Sequence, residues 1–315
     1  MTSRTRAYLG LLVAALLFGV TFVVIKDAVV SMPPLAFVGW RFLLGAGALF
    51  IFARPKGRSI WVDGLAAGSL LFVGFSTQTL GLAETSASNS ALITGLYVVF
   101  TPLLAAVARR TSPAFSTVSG AVLSFVGLGF LTITTEFTFN TGDLWTVVCA
   151  VAFAAHIVAL ARFAPRHAVV PFTAIQLLVV AVFGLATSAV FEGFPLPVAS
   201  VLPALIGTGV IVSAGAFMLH VSAQRVIGPS RTAIVLSAEP VFAAATAAVV
   251  LGERLPVRGW LGAVLIMAGV YIVLAFSPPE QADFVVPKHR DRGSLTGAEP
   301  TNQPVADGDA AERGE

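Results

Sequence analysis

The chain has 315 residues, of which 57% are hydrophobic and 11% charged, and its mean hydropathy is +0.90. A soluble domain is typically about a quarter charged, because solvated groups must cover its surface. The composition therefore excludes a water-soluble globular protein and indicates one that lies in a lipid bilayer. The formal net charge of +3 does not indicate nucleic-acid binding, since the cations form short clusters between apolar runs.

Motifs for metal, disulfide and nucleotide chemistry are missing from the sequence. Cys149 is the only cysteine, so no intrachain disulfide can form, and there is no paired-cysteine or HExxH motif. A phosphate-binding GxxxxGK[ST] loop is also absent, so we do not expect the chain to hydrolyse ATP. We expect no cofactor and no metal.

Ten apolar runs follow one another along the chain. Each has about the 20 residues that a helix needs to cross a hydrocarbon core about 30 Å thick. They cover residues 7–25, 34–53, 64–83, 87–108, 116–135, 143–162, 170–190, 201–222, 229–250 and 257–276. The first run is too long for a secretory signal and ends at Lys26-Asp27 without a cleavage site. We predict an all-α integral membrane protein with ten transmembrane helices.

The cations between the runs predict the orientation. One side carries Arg4, Arg6, Arg54, Lys56, Arg58, Arg109, Arg110, Arg162, Arg166, Arg225 and Arg231. The other side carries Lys26, Arg254 and Arg258. Cytoplasmic loops are enriched in Lys and Arg, so we expect both termini in the cytoplasm and the protein in the cytoplasmic membrane. Residues 1–6 form a cytoplasmic N-terminus, and residues 277–315 lack an apolar period, which is typical of a disordered tail.

The two halves repeat the same landmarks in the same order. The matching features are Pro34 and Pro171, Pro102 and Pro240, and the pairs Gly120–Gly127 and Gly262–Gly269. Because each half, 7–135 and 143–276, contains five runs, the second enters the membrane upside down relative to the first. Inverted repeats of this kind are a common plan of secondary transporters, with the site near the midplane. The pattern therefore favours a carrier.

Several motifs give the halves a family resemblance. They are Arg41-Phe42, residues 86–102, the stretch Leu-Ser-Ala-Glu-Pro-Val-Phe at 236–242, Leu251-Gly252-Glu253 and the glycine-spaced helix at 262–269. With these motifs, residues 7–276 resemble paired EamA domains of the drug/metabolite transporter (DMT) superfamily. The resemblance implies ten helices with cytoplasmic termini and, usually, export of amino acids, related metabolites or drugs. The first half departs from it, with Ala108-Arg109-Arg110-Thr111 where a Leu-Gly-Glu is expected.

Charged side chains at membrane depth indicate function, because each costs roughly 2.5–3.5 kcal/mol to insert. Glu239 lies near the middle of run nine beside Pro240, and Arg41 lies about two turns into run two. Pro102 and Pro240 predict breaks at corresponding positions of the two halves. Glu239 either binds an amino group or a proton of the transport reaction, or holds helices together. For Arg41, which lies close enough to the outer interface to snorkel, we favour a structural role.

Five further polar residues are candidates for lining a cavity. His156 and His220 can exchange protons near neutral pH, but a lone histidine in a membrane more often makes a helix contact. Gln78 and Tyr97, like Gln176, suit either a cavity wall or helix packing. We expect Gly262 and Gly269 in run ten to seat that helix against run nine, or to serve a dimer. The oligomeric state stays open.

The leading functional hypothesis is a secondary carrier that exports amino acids or related metabolites by alternating access. A proton or solute gradient would drive it, unless it is a facilitator. Uptake of a vitamin, sugar or nucleotide derivative is the alternative. A remote alternative is an intramembrane hydrolase using Ser213 with His156 or His220, but no carboxylate is placed to orient either ring. A channel would need rings of charge or filter carbonyls, which the sequence lacks.

Overall fold

The described part of the chain is helical throughout. The computed structural model describes residues 2–85, 87–133, 140–250 and 256–277, and every regular element in these ranges is a helix. A bilayer offers no hydrogen bonds to the backbone, so a helix, which satisfies its own N–H and C=O groups, is the form that such apolar runs take. The all-α membrane class expected from the composition is therefore confirmed.

The elements follow the apolar runs in chain order. The first half contains α1 (Ser3–Ser31), α2 (Pro34–Phe52), α3 (Arg58–Glu84), α4 (Ala87–Thr94), α5 (Tyr97–Arg109) and α6 (Phe115–Thr132). The second half contains α7 (Thr141–Phe163), α8 (Val169–Phe191), α9 (Leu202–Ile206), a π-helix (Gly207–Ala216), α10 (Phe217–Gln224), α11 (Pro229–Leu236), α12 (Glu239–Val250) and α13 (Val257–Phe276). Short 3-10 helices cover Ala164–Arg166 and Ala199–Val201.

Within the described ranges, nine helical stretches are long and apolar enough to cross a membrane. The ninth of the ten predicted runs is not among them, and the structure divides it into α11 and α12. Helix α1 also continues past Lys26 and Asp27, where the first run was predicted to end, to Ser31. Hydropathy measures the lipid-buried part of a helix, and the hydrogen-bonded helix extends beyond it.

Helices of the first half pack mainly on helices of the second. The principal pairs are α2 with α8, α3 with α7 and α6 with α13, while α1 lies against the π-helix and α10–α12. Glycines permit the close approach of α2 and α8, where the Gly39 and Gly184 backbones meet. The candidate site lies where α1, α2 and α5 of the first half meet the π-helix, α11 and α12 of the second.

The α6–α13 contact is formed by two pairs of glycines. A Cβ atom added to Gly127 would lie 2.7 Å from the carbonyl oxygen of Gly262, and one added to Gly269 would lie 2.6 Å from that of Gly120. The expectation that the glycines of run ten seat it against run nine is therefore wrong. Both halves carry glycines seven residues apart in their last described helix, and these matching stripes face each other.

Carboxylates join helices at the end of the bundle where α2 and α7 begin. The Glu192 carboxylate accepts hydrogen bonds from the backbone N–H groups of Leu35 (3.0 Å) and Ala36 (2.9 Å) in the first turn of α2. Asp143 completes a capping box at the start of α7 by accepting a 2.8 Å hydrogen bond from the Asn140 N–H, and it accepts a 2.6 Å hydrogen bond from the Thr85 hydroxyl beyond α3. Both carboxylates satisfy helix N-terminal donors that would otherwise lack partners.

Different polar contacts join the helices at the opposite end. Arg231 at the start of α11 donates hydrogen bonds to the Tyr8 hydroxyl of α1 and to the carbonyl of Ser277 beyond α13. Asp63 of α3 accepts a 2.7 Å hydrogen bond from His167 in the α7–α8 connection. Both ends of the bundle are thus cross-linked by polar groups.

Candidate functional site

The interruption between α11 and α12 places a carboxylate inside the bundle. Ser237 and Ala238 form a turn, with the N–H of Ala238 bonded to the carbonyl of Val235 at 3.2 Å. Helix α12 then begins at Glu239, with Pro240 as its second residue. The proline lacks an N–H, so the helix ladder is interrupted there at no further cost. Glu239 is half-buried, and among the described residues no group donates a hydrogen bond to its carboxylate.

Arg41 supplies the cation of the site from α2. Its side chain is only 4% exposed, and its Nε donates a 2.8 Å hydrogen bond to the Ser213 hydroxyl. Ser213 belongs to the π-helix, a rare form that is frequent at functional sites. Gly45 and Gly209 let α2 and the π-helix approach closely enough for this bond. Arg41 therefore points into the bundle, whereas the sequence allowed it to snorkel outwards.

Glu239 and Arg41 form a separated pair of opposite charges. They lie close enough to interact electrostatically, and Tyr97 of α5 lies within the same range of Glu239. Among the described residues, however, the two ion pairs with N and O atoms within 4.0 Å both involve Asp63, so Arg41 and Glu239 are not in contact. The site presents a cation, an anion and a phenol from three different helices.

The structure also shows where the other two candidate residues of the first half, Pro102 and Gln78, lie. The predicted break at Pro102 is wrong: helix α5 continues through Pro102, and the interruption of its span is at Gly95 and Leu96, between α4 and α5. The Thr101 hydroxyl donates a 2.7 Å hydrogen bond to the carbonyl of Tyr97, which keeps the helix closed ahead of the proline. Gln78 of α3 donates to the Thr94 hydroxyl at 3.5 Å, so its described partner is α4 rather than Glu239.

A second polar cluster lies between α7, α8 and α10. His156 and Gln176 share a 3.0 Å hydrogen bond, and the His156 and His220 rings lie 6.1 Å apart. Gln224 lies one turn beyond His220 on α10 and is fully buried. The sequence singled out the two histidines and Gln176 separately, and it gave no reason to notice Gln224. No spacing rule could connect them, because they lie on three helices.

The role of Ser213 also became visible only in the tertiary structure. From the sequence it was a remote candidate for a hydrolase nucleophile, but its described partner is Arg41 and not a histidine. No cluster of three or more His, Cys, Asp or Glu side chains suited to a metal ion occurs among the described residues.

A family model matches most of the chain in two copies. The EamA-like transporter family matches residues 5–133 and 140–275. An uncharacterized transporter of Archaeoglobus fulgidus is 34% identical over 271 residues, covering 86% of each chain. A probable amino-acid metabolite efflux pump of Salmonella typhimurium is 29% identical over 288 residues, covering 86% of this chain and 95% of its own.

A second probable amino-acid metabolite efflux pump, from Escherichia coli, is 27% identical over 295 residues, with 86% of this chain and 95% of its own covered. A crystal structure of a protein superimposes with a TM-score of 0.75 at 20% identity, over 86% of this chain and 99% of that chain. At this identity the likeness concerns the fold alone.

Proposed function

This chain belongs to the EamA-like transporter family, and we propose that it exports amino acids or related metabolites by alternating access. It is a multi-pass membrane protein, and its relatives are transporters of small molecules. The observation that carries the substrate class is the separated pair of charges, Arg41 and Glu239, inside the bundle. The names of two relatives as amino-acid metabolite efflux pumps point in the same direction.

The proposed architecture is ten spans in two inverted five-helix repeats, 7–135 and 143–276, with α11 and α12 together as one interrupted span. The two separate matches of the family model support it. The packing supports it as well, because α2 packs on α8 and α6 on α13, each the counterpart of the other in sequence order. A twofold axis between the halves brings counterpart helices together in this way.

The proposed orientation follows the cations. Both termini lie in the cytoplasm, and the segment after Phe276 is a cytoplasmic tail, of which residues 278–315 lie outside the described residues. Under this orientation Glu192 and Asp143 tie helices on the external side, whereas Arg231 and His167 do so on the cytoplasmic side.

The charge arrangement suits a zwitterion. An α-amino acid carries an ammonium and a carboxylate a short distance apart, and Glu239 and Arg41 offer the complementary charges without contacting each other. Placing either charge in a membrane costs roughly 2.5–3.5 kcal/mol on insertion scales, so a pair that only held the fold together would gain more from direct contact. In the proposed role Arg41 binds the carboxylate and Glu239 the ammonium, with Ser213 fixing the guanidinium.

The energy for export comes from outside the chain, since the sequence has no nucleotide-binding loop. Glu239 can bind either the substrate ammonium or a proton, but not both at once. Competition between them couples the two movements, so that a proton entering the cell takes the place of a departing amino acid. A solute gradient acting on the same site is the alternative driving force.

The test compares cells that produce the wild type, Glu239→Gln or Glu84→Gln, all fed dipeptides. Glu84 is exposed at the end of α3, so Glu84→Gln is the matched control for the same chemical change outside the site. We expect the wild type and the control to release a subset of amino acids faster than empty-vector cells. Loss of a charged hydrogen bond, about 1.5–3 kcal/mol, predicts release about tenfold to a hundredfold slower for Glu239→Gln.

Each result has a definite meaning. Export that Glu239→Gln leaves unchanged would keep the exporter but remove Glu239 from its site. If the wild type, shown to be in the membrane, matches empty-vector cells for every amino acid, export of amino acids is refuted. The import of a vitamin, sugar or nucleotide-type metabolite then becomes the leading function, to be tested by uptake into the same cells.

A further inference from the structure

The α7–α8–α10 cluster contains polar atoms that no described residue satisfies. His220 is 3% exposed and Gln224 is fully buried, yet the His220 Nε2 and both polar atoms of the Gln224 amide lack hydrogen-bond partners among the described residues. Buried polar groups are nearly always paired, and an unpaired one destabilises the fold. Two such residues one helical turn apart therefore point to a polar partner other than the described residues, and a bound polar molecule would supply it.

The neighbouring residues of the cluster are held in fixed orientations. The Gln176 amide nitrogen donates to the carbonyl of Phe172 at 3.3 Å, so its oxygen faces His156. His156 therefore donates from Nε2, at 3.0 Å. These two residues form the rigid wall of the cluster, while His220 and Gln224 present their unpaired atoms from α10.

A cluster of aromatic rings separates these polar residues from Arg41 and Glu239. Ser213, Phe217, His220 and Gln224 follow one another along one stripe of the Ala199–Gln224 span. The Phe217 ring lies 6.3 Å from the His220 ring of α10 and 6.5 Å from the His156 ring of α7. Three further ring neighbours come from α1, α2 and α3. They are Phe18 at 5.2 Å, Phe42 at 6.0 Å and Phe75 at 6.4 Å. Five helical segments thus close around a single ring between two polar regions.

The cluster lies near one end of the bundle. Gln224 is the last residue of α10, and Arg225 directly after it is exposed. Under the proposed orientation this end faces the cytoplasm, from which an exported molecule must enter. A polar molecule that moves along the stripe would meet Gln224 and His220 first, then the Phe217 ring, and then Ser213 with Arg41.

We propose that His156, Gln176, His220 and Gln224 line a second binding position for the transported molecule, separated from the Arg41–Glu239 position by the Phe217 ring. The inference rests on the proposed export function and adds an entry position to it. Its ligand is the transported amino acid or related metabolite, whose polar groups would hydrogen-bond to the unpaired atoms of His220 and Gln224. Phe217 is the gate that the molecule passes between the two positions.

The single native cysteine makes an accessibility test direct. In a Cys149→Ser parent, Gln224→Cys is compared with Val221→Cys, a residue equally buried and at nearly the same depth, but packed in an apolar cluster. The probe is a quaternary-ammonium methanethiosulfonate, which does not cross bilayers, applied to inside-out vesicles. We expect Gln224→Cys to react at least tenfold faster than Val221→Cys, and a mixture of the twenty L-amino acids to slow it.

Phe217 is tested with the same reagent. Ser213→Cys is expected to react slowly from the Gln224 side in the presence of Phe217, and at least tenfold faster when Phe217→Ala is added. Equal rates for Gln224→Cys and Val221→Cys would indicate general opening of the helices and overturn the proposal. An unchanged rate for Ser213→Cys after Phe217→Ala would overturn the gate.

A second variant distinguishes binding from a structural role. Gln224→Leu removes the unpaired amide while nearly keeping its volume, so it should raise the thermal midpoint of the purified protein and slow export at least tenfold. Normal export by Gln224→Leu would overturn the second position. If the Cys149→Ser parent exports amino acids but they do not slow the labelling of Gln224→Cys, only the second position fails. If that parent shows neither export nor protection, both the proposed function and this inference fail.

Discussion

The glycine contact between α6 and α13 allows a stability prediction within one helix. A Cβ atom on Gly127 would lie 2.7 Å from both the carbonyl oxygen of Gly262 and the nitrogen of Ile266. Ordinary contacts begin at 3.4 Å, so Gly127→Ala forces the two helices apart by about 0.7 Å at this point. On Gly129, two residues further along the same helix, the nearest atoms would be 3.9 Å away, and an alanine there is accommodated.

The two substitutions share the gain in helix propensity from glycine to alanine, about 0.5–1 kcal/mol, so it cancels when they are compared. What remains is the cost of overpacking, typically about 1–3 kcal/mol. We therefore expect Gly127→Ala to be about 1–3 kcal/mol less stable than Gly129→Ala. The double variant Gly127→Ala/Gly262→Ala should lose less stability than the sum of the two single variants. The reason is that one separation of α6 from α13 relieves both close contacts.

Cys149 provides the assay. Its thiol is completely buried, so a thiol-reactive fluorescent dye reports unfolding of the purified protein in detergent during a temperature ramp. We expect the thermal midpoint of unfolding of Gly129→Ala to be at or above that of the wild type, and that of Gly127→Ala to be below both. Equal midpoints for the two alanine variants would refute the close α6–α13 contact and the reasoning built on it.

Three further changes test the polar contacts. Glu192→Ala leaves two helix N-terminal donors of α2 without their acceptor, so the dye assay should show a loss of about 1–3 kcal/mol, and Glu192→Gln, which keeps one acceptor oxygen, a smaller one. Asp143→Ala removes one half of the α7 capping box and the acceptor of the Thr85 hydroxyl, so it should cost about 1–2 kcal/mol. Thr85→Val removes that donor and the acceptor of the Asn140 amide but keeps the capping box, so it should cost less. Ser213→Ala leaves the Arg41 Nε unpaired, and we expect export to slow about tenfold while Ser213→Thr retains it.

Glu239 and Arg41 could be recognised from the sequence because charge is conspicuous in an apolar run. The neighbours of each residue in its run are mostly apolar, so the charge is easily seen. The free-energy cost of inserting a charge into a membrane then indicated a role before any contact was known. Their arrangement was not predictable. The Arg41–Ser213 bond joins residues 172 positions apart, and it depends on glycines of α2 and the π-helix that only packing brings together.

The α7–α8–α10 cluster was harder still to predict. His156 and His220 were visible as isolated polar residues, but Gln224 looks like the polar end of a helix close to the membrane surface. Its importance lies in the burial of its amide without a partner among the described residues, which is a property of three helices together. Phe217, one of 24 phenylalanines, is distinguished only by the rings that surround it.

The sequence by itself determined the solvent of this protein, the form of its backbone and the repeat of landmarks that led to its family. These properties are local: about 20 apolar residues need lipid, and a backbone in lipid must bond within its own segment. Tertiary structure alone decided which helices are neighbours, as Gly262 of α13 shows by facing Gly127 of α6 rather than run nine. All the helices are similarly apolar, so hydropathy cannot rank their partners. Close packing and a few polar contacts make that choice, and both arise only when distant parts of the chain meet.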